Sequence, residues 1–589
     1  MDVVRAKYIK EWISQLPNGN ISYKTIRGKR YTYYQWNDNG KQRSRIVKPD
    51  EFEELSQKIE QRKVLEKKLS ESNVPAEFLE PTHYFSNVLV GLDLLDLVAK
   101  TKEYKKRDCY SQLYDYVYGD STDRVFILYG LRRSGKTTLI KQLIADMPHD
   151  MFLKSAFMQV NDQIKLAEIN IDLKQLSKQG YEYIFIDEVT EMKDFIDGAA
   201  LFSDIYASRG LKIVLSGTDS LGFIFSQDRE LYDRCYMLHT TFIPYREFAE
   251  VLNVGGIDTY IQYGGTMTLG GTNYNLTNTT FANKKTTNEY IDSAIADNIQ
   301  HSLTKYKDGG HFRHLRALYD AGELTSVINR IVEYENNQFT VKVLTKFFKS
   351  GDLHRTSTNL LKDKNNEYYS NLFQLVDMDQ INEWFRRALD IYNRDEMTVP
   401  ITEGHVAEIR EYLKLLDLTV DIDVVDMANL SKKETHTAIS QPGMRYAQAK
   451  ALVESLAKDE VFSTFSLADR NYISERLMTT IKGTMLEDII LLETKIARPE
   501  YEVFKLKFAV GEFDMVIFNP ETSTCEIFEI KHSTETHPNQ YQHISNEEKC
   551  KNTEFRYGNI TGKYVIYRGE SQVIDGIQYL NAEEYLHSL

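Results

Sequence analysis

Apolar and polar positions change their period several times along this chain of 589 residues. From Ile21 to Lys48 aromatic and polar residues alternate with the two-residue period of strands, and Asn37-Asp38-Asn39-Gly40 supplies a hairpin turn. That pattern predicts a small β-meander. From Asp50 to about Ser72 charges of opposite sign alternate instead, as on an exposed or coiled helix, which reads as a spacer. Between Pro75 and Glu250 short apolar runs alternate with helical stretches, the order of a doubly wound parallel sheet. The runs VFILY from Val125, Phe157 to Val160, Tyr181 to Val189 and Leu211 to Gly217 read as strands, and Leu166 to Lys178 as a helix.

Beyond Ile261 the pattern is less regular. Tyr263-Gly264-Gly265 and a polar tract to Thr287 read as a loop. A helical pattern from His405 to Leu416, followed by LTVDIDVVD, fits a small winged-helix-like unit. Gly483 to Glu493 reads as an amphipathic helix, and Phe504 to Ser533 as two strands around an Asn519-Pro520 turn. Four segments result: 1–75 (basic meander plus charged helix), 76–250 (parallel α/β core), 251–470 (lid, helical and winged-helix-like region) and 471–589 (a second α/β domain).

Composition supports this division, because a chain of this length exceeds one core and calls for three or four domains. Hydrophobic residues make up 42% and charged residues 27%, which fits a soluble protein. Cys109, Cys235, Cys525 and Cys550 lie far apart without a CxxC pair, so a reducing cytoplasm is the expected compartment. The most apolar stretch, Ser86 to Lys100, contains Asp93 and Asp96 and is too short to cross a bilayer, so no membrane partner is expected. The net charge of −14 excludes a chain that is basic all over. It leaves one basic module: Lys24, Arg27, Lys29, Arg30, Lys41, Arg43, Arg45 and Lys48 stand against the single acid Asp38, among Tyr23, Tyr31, Tyr33, Tyr34 and Trp36. Such a module either holds a nucleic-acid backbone or docks on an acidic neighbour.

The sharpest chemistry lies at VFILYGLRRSGKTTLI, Val125 to Ile140. A strand, the loop Gly130-x4-Gly135-Lys136-Thr137 and the start of a helix form the order a P-loop requires. Glycines let backbone N–H groups close on phosphates, the helix dipole favours the anion, Lys136 reaches the β- and γ-phosphates, and Thr137 ligates Mg²⁺. The expected nucleotide-binding set is Gly130, Arg133, Ser134, Gly135, Lys136, Thr137 and Thr138. Downstream, the apolar strand YEYIFIDEV ends in Asp187-Glu188. Asp187 there would hold Mg²⁺ through water, and Glu188 would orient and deprotonate the attacking water. Ser216, ending the next strand, either senses the γ-phosphate or caps the following turn. Arg229 and Arg234 are either arginine fingers or surface ion pairs.

A second constellation follows Asn471. Glu487 on the helix, Asp514 on one strand, and Glu529 with Lys531 at the end of the next form the donor set of metal-dependent phosphodiester cleavage. Glu487, Asp514 and Glu529 would bind Mg²⁺ or Mn²⁺, and Lys531 would orient the nucleophile or offset developing charge. The alternative is a hairpin with solvent-facing acids. The Glu-x-Lys pattern recurs elsewhere, as at Glu66-x-Lys68 and Glu191-x-Lys193, so context carries the reading.

Taken together, Gly130 to Thr137, Phe185-Ile186-Asp187-Glu188, Leu215-Ser216-Gly217-Thr218, Arg234 ahead of Pro244-Tyr245-Arg246-Glu247-Phe248, and Tyr263-Gly264-Gly265 resemble a family of prokaryotic AAA+-type (archaeal-ATPase-like) P-loop ATPases. The likeness runs from about Tyr104 to Leu589, and departs at Thr266, where relatives often carry proline. It implies an AAA+/ASCE-type parallel-sheet core that hydrolyses ATP, followed by a PD-(D/E)xK, restriction-endonuclease-like domain carried by Glu487, Asp514, Glu529 and Lys531. The expected partners are ATP and nucleic acid, DNA before RNA, with homo-oligomers compatible and a defence or mobile-element setting by analogy. The competing expectation is a signalling or scaffold ATPase whose nuclease-like domain binds without cutting. A nucleotide kinase suits the P-loop alone, but does not need the Asp187-Glu188 pair.

Overall fold

A computed structural model describes residues 3–589 apart from 39, 73, 76–78, 80–81, 193, 219–221, 224–230, 232, 268–278, 306–311, 350–375, 391–399 and 430–432. The chain divides into two compact units. The first comprises Met1–Tyr129, Lys136–Gly217 and Gly222–Leu238, and the second Gly130–Gly135, Thr218–Leu221 and His239–Leu589.

The predicted meander is present in the first unit as β1 (Asn20–Ile26), β2 (Lys29–Asp38) and β3 (Lys41–Ile46), paired antiparallel in that order. Tyr34 and Val47 pack on Leu55 and Ile59 of the helix Pro49–Ser70. A helix over Val3–Gln15 precedes the meander, an element hidden in the sequence by its evenly spread charges. It ties the meander to the rest of the unit: Lys7 Nζ donates to Gln179 Oε1 at 2.7 Å, and the Leu92 N–H donates to Glu11 Oε2 at 3.0 Å. Segment 1–75 is therefore part of a larger unit.

The larger sheet of this unit holds β4 (Asn87–Leu89), β5 (Val125–Tyr129), β6 (Ser155–Gln159), β7 (Tyr183–Asp187), β8 (Lys212–Gly217) and β9 (Cys235–His239), in the order β4-β6-β7-β8-β5-β9. β6, β7, β8 and β5 run parallel. Their residues are buried on both faces, which explains the unbroken apolar runs in the sequence. β8 lies between β5 and β7, so the strand ending in Asp187 is one strand removed from the strand feeding the glycine loop.

The second unit holds a sheet of eight strands: β10 (Thr419–Asp426), β11 (Lys433–Ile439), β12 (Glu502–Lys507), β13 (Glu512–Asn519), β14 (Thr524–Ile530), β15 (Asn559–Tyr567), β16 (Gln572–Ile574) and β17 (Ile577–Asn581). Their spatial order is β11-β10-β12-β13-β14-β15-β17-β16. Two expectations change here. The run from Phe504 forms three strands, because the chain reverses at Gly511 with φ +78° inside an apolar stretch that masks the turn. The strand expected in a winged-helix-like unit, β10, pairs parallel with β12 and antiparallel with β11, so it extends the sheet past β12. A helix over Leu467–Ala497 also runs straight through the boundary expected at 470.

The tract read as a loop to Thr287 contains the helix Lys284–Tyr290, while 268–278 fall outside the described residues. Gly264 and Gly265 stand where backbones meet: a Cβ on Gly265, whose φ is +112°, would lie 2.7 Å from Gln441. The four cysteines carry free thiols. Among the described residues no helix is long and apolar enough to cross a membrane.

Candidate functional site

β5 delivers the chain into the glycine loop, where Gly130 and Gly135 have φ of +142° and +90°. A Cβ on Gly130 would lie 2.7 Å from Thr240 Oγ1, so glycine is required there by space as well as by angle. Arg133 also adopts positive φ, +68°, a conformation that costs a non-glycine residue about 1–2 kcal/mol. The loop is held from residues that sequence reasoning passed over. The Leu131 N–H donates to Thr241 Oγ1 at 3.1 Å, and the Ser134 and Thr240 hydroxyls share a bond of 2.8 Å. The Met267 N–H donates to the Arg133 carbonyl at 2.8 Å, and Arg133 Nη1 to Thr280 Oγ1 at 2.7 Å. The side chains of Arg133 and Ser134 are thus engaged by protein partners. Two adjacent threonines directly after a strand were the available signal.

In the first unit, the helix Lys136–Asp146 begins with buried Lys136, followed by half-buried Thr137 and Thr138. Thr137 Oγ1 donates to Asp187 Oδ2 at 2.8 Å, and Ser216 Oγ donates to Asp187 Oδ1. Asp187 is 2% exposed and Ser216 is fully buried. Both carboxylate oxygens of Asp187 are therefore satisfied by hydroxyls from flanking elements, as a buried charge requires. Ser216 reaches it because β8 sits between β5 and β7, with Ser216 in register with Leu128. The alternative, a cap for the segment Asp219 to Phe223, falls on residues of which 219–221 lie outside the described ones.

Glu188 stands at φ +57° immediately after β7. A glutamate rarely adopts this region, and such strain concentrates at functional positions. Arg234 forms an exposed ion pair with Asp204 at 3.2 Å, the surface alternative of the two, and its carbonyl accepts the Val125 N–H at 3.0 Å. Arg229 falls outside the described residues.

The second constellation lies wholly within the second unit. β13 carries Asp514, β14 carries Glu529, and Lys531 follows the end of β14. Lys531 Nζ lies 2.8 Å from Asp514 Oδ2 and 2.6 Å from Glu529 Oε2, while the Ile530 N–H donates to Asp514 Oδ2 at 2.8 Å. Asp514 and Glu529 are 5% and 2% exposed, which removes the reading of solvent-facing acids. Glu487, on the long helix, accepts from Lys505 of β12 at 3.3 Å.

Burial, then the Asp514 charge, pushes the Glu487 carboxyl up to about 7 against the pull of Lys505 and Lys531. Burial likewise raises Glu529 well above the ordinary carboxylate range. Asp514 goes the other way: burial opposes its ionisation, but Lys531, the Ile530 N–H and Lys505 together hold it low. Lys531 stays charged despite burial because three carboxylates face it. Lys505, buried at 7% exposure, is the member that sequence reasoning missed. Its signal was a lysine inside the apolar run FKLKF, legible only once β12 is known to be an interior strand.

Among the described residues no three His, Cys, Asp or Glu side chains converge closely enough to bind a metal ion unaided. At this site the ammonium of Lys531 stands between two carboxylates. The oxygen donor set still suits a hard divalent cation, and Glu529 Oε1 is buried with no hydrogen-bond partner.

Comparison with known proteins matches residues 122–249 to a family described as an AAA domain, and residues 3–57 to a domain of unknown function (DUF6788). No curated protein matches the chain. Among solved structures, the Aeropyrum pernix Orc1 protein in complex with DNA is similar at 12% identity over 59% of this chain and 92% of that chain, with a TM-score of 0.19. The matched segment contains the glycine loop, Lys136, Thr137, Asp187, Glu188 and Ser216. The chain therefore carries an AAA-type P-loop ATPase domain over residues 122–249, for which ATP and, as a rule, Mg²⁺ are the implied ligands.

Proposed function

We propose that the protein hydrolyses ATP to control a metal-dependent nuclease-like site acting on nucleic acid, DNA before RNA. The observation that carries this reading is the pair of buried carboxylates Asp514 and Glu529, each within 2.8 Å of half-buried Lys531, in the same chain as an AAA domain. At the ATPase site the glycine loop and Lys136 bind the phosphates, and Thr137 with Asp187 would hold Mg²⁺. Glu188 takes the proton of the attacking water, while Ser216 fixes Asp187. At the second site Glu487, Asp514 and Glu529 would hold Mg²⁺ or Mn²⁺, which supplies a lowered water pKa and screening of the phosphate. Lys531 orients the nucleophile and offsets charge that develops on the phosphate.

One observation favours a second reading, an ATPase whose nuclease-like domain binds without cutting. Lys531 and Lys505 already neutralise the carboxylates that a metal would need. Lys136→Ala and Asp514→Ala variants separate the possibilities. The first abolishes ATP turnover, and equal turnover in that variant and wild type would sink the ATPase reading. The second abolishes Mg²⁺- or Mn²⁺-dependent cleavage of single- and double-stranded DNA while sparing ATP turnover. A wild type that cuts no DNA or RNA with either metal, and binds neither metal by calorimetry, leaves the non-cutting reading.

A further inference from the structure

The meander contributes nothing to either site, yet it concentrates positive charge on a chain of net charge −14. Its β1–β2 hairpin closes with Arg27 and Gly28 at φ of +50° and +81°, the two-residue turn that matches strand twist. Asparagine or aspartate is the usual first residue of such a turn. Arginine there accepts backbone strain to place a guanidinium at the tip. Lys24 and Lys29 project from one face and Arg30 from the other, because strand side chains alternate. All four cations are exposed, and among the described residues none has a carboxylate within ion-pair distance, whereas Arg43 and Arg45 are paired with Asp38 and Glu51.

Two of the aromatic rings nearby lie under the module's own cations. Arg30 lies 4.0 Å over the ring of Tyr23, and Lys24 lies 5.0 Å over that of Tyr33. Those two rings meet a cation where a base would stack, and Tyr31 is the exposed ring left uncovered, too little for a platform of successive stacked bases. A two-stranded ribbon with cations on both faces and at its tip fits a duplex groove flanked by two phosphate walls. We propose that the β1–β2 hairpin holds the phosphate backbone of duplex DNA without regard to sequence. The inference stands apart from cleavage, since the hairpin shares no residue with Asp514 or its neighbours.

The test uses the full chain, without divalent metal, and a fluorescein-labelled duplex of arbitrary sequence with its single strand as comparison. Anisotropy titrations run across a salt series. Replacing Lys24, Arg27, Lys29 and Arg30 with glutamine lowers the slope of log K against log salt by about 0.9 per lost phosphate contact, ~3.6 over the four. The affinity at 0.1 M salt then falls on the order of a thousandfold. Arg27→Lys with Arg30→Lys retains the wild-type slope, because point charges suffice. ATP turnover without DNA and the melting temperature stay unchanged in both variants. An unchanged slope and affinity in the glutamine variant overturns the proposal. So does a wild type that binds the single strand more tightly than the duplex. Altered self-association with intact duplex binding overturns it too, because the sheet then docks on an acidic protein surface. Absence of cleavage with binding intact defeats only the nuclease reading.

Discussion

Glu493, on the long helix of the second unit, makes its stability depend on pH in a direction opposite to most carboxylates. Its side chain is 3% exposed, and Oε1 accepts the Tyr245 N–H at 2.8 Å. Burial, against the pull of the Tyr245 N–H, pushes its carboxyl up to about 8 from an unfolded value of 4.5. The folded unit therefore binds a proton that the unfolded chain releases between those values. Stability from this group is fully present below pH 4.5 and lost as pH rises through 8. Linkage gives ~3 kcal/mol lost between roughly pH 5 and 7.5, out of about 5 kcal/mol in total. Glu493→Gln keeps an acceptor for the Tyr245 N–H and carries no proton equilibrium. Among the three tryptophans, Trp384 alone lies in the second unit, so urea unfolding in a Trp12→Phe, Trp36→Phe background reports that unit. The variant gains ~3 kcal/mol relative to its parent on going from roughly pH 5 to 7.5. Parallel pH profiles for the two proteins would refute the reasoning.

Two further perturbations bear on the sites. Ser216→Ala removes a hydrogen bond to the buried Asp187 carboxylate, a loss of about 1.5–3 kcal/mol. ATP turnover falls roughly 10- to 100-fold while nucleotide binding changes little, and unchanged turnover would show that Asp187 needs no such support. Gly265→Ala forces a Cβ against Gln441 at 2.7 Å from a left-handed backbone position. It destabilises the second unit by about 2–4 kcal/mol, read by urea unfolding, and an unaltered midpoint would mean that the segment yields freely.

Legibility in the sequence followed the locality of each cause. The glycine loop, Lys136 and the Asp187-Glu188 strand end were readable because strand, turn and helix signals adjoin one another. That Ser216 bonds to Asp187 was not, since it depends on β8 lying between β5 and β7. The glutamate, aspartate and lysine of the second site could be named from the hairpin carrying them, whereas Lys505 needed the identity of an interior strand. The helix Val3–Gln15 and the joining of β10 to β12 escaped for the same reason. Tertiary partners, rather than local period, decide both.

Within the second unit a continuous set of contacts joins the glycine loop to the carboxylate–lysine site. The Arg133 carbonyl accepts the Met267 N–H at 2.8 Å, and Gly265, just upstream, accepts from Gln441 Nε2 at 3.1 Å. Gln441 begins the helix Pro442–Lys458, whose Arg445 donates to Asp488 Oδ2 at 2.8 Å. Asp488 adjoins Glu487, and its other oxygen binds His436 at 2.6 Å. Adjacency alone does not transmit anything, because each contact must differ between two states for a signal to pass. Gln441→Ala removes the side-chain bond at this step, leaving the Gly443 N–H bond to the Gly264 carbonyl at 3.0 Å, and touches neither site. If ATP acts on the second site along these contacts, the variant lowers the ATP-induced change in Mn²⁺ affinity by about 0.5–2 kcal/mol, roughly 2- to 30-fold. ATP turnover and nucleotide-free Mn²⁺ affinity stay at wild-type values. A double-mutant cycle with Asp488→Asn checks the path, since mutations on one path are not additive. Full ATP dependence in Gln441→Ala, or strict additivity in the cycle, would mean that the contacts hold the unit together without carrying the nucleotide's influence.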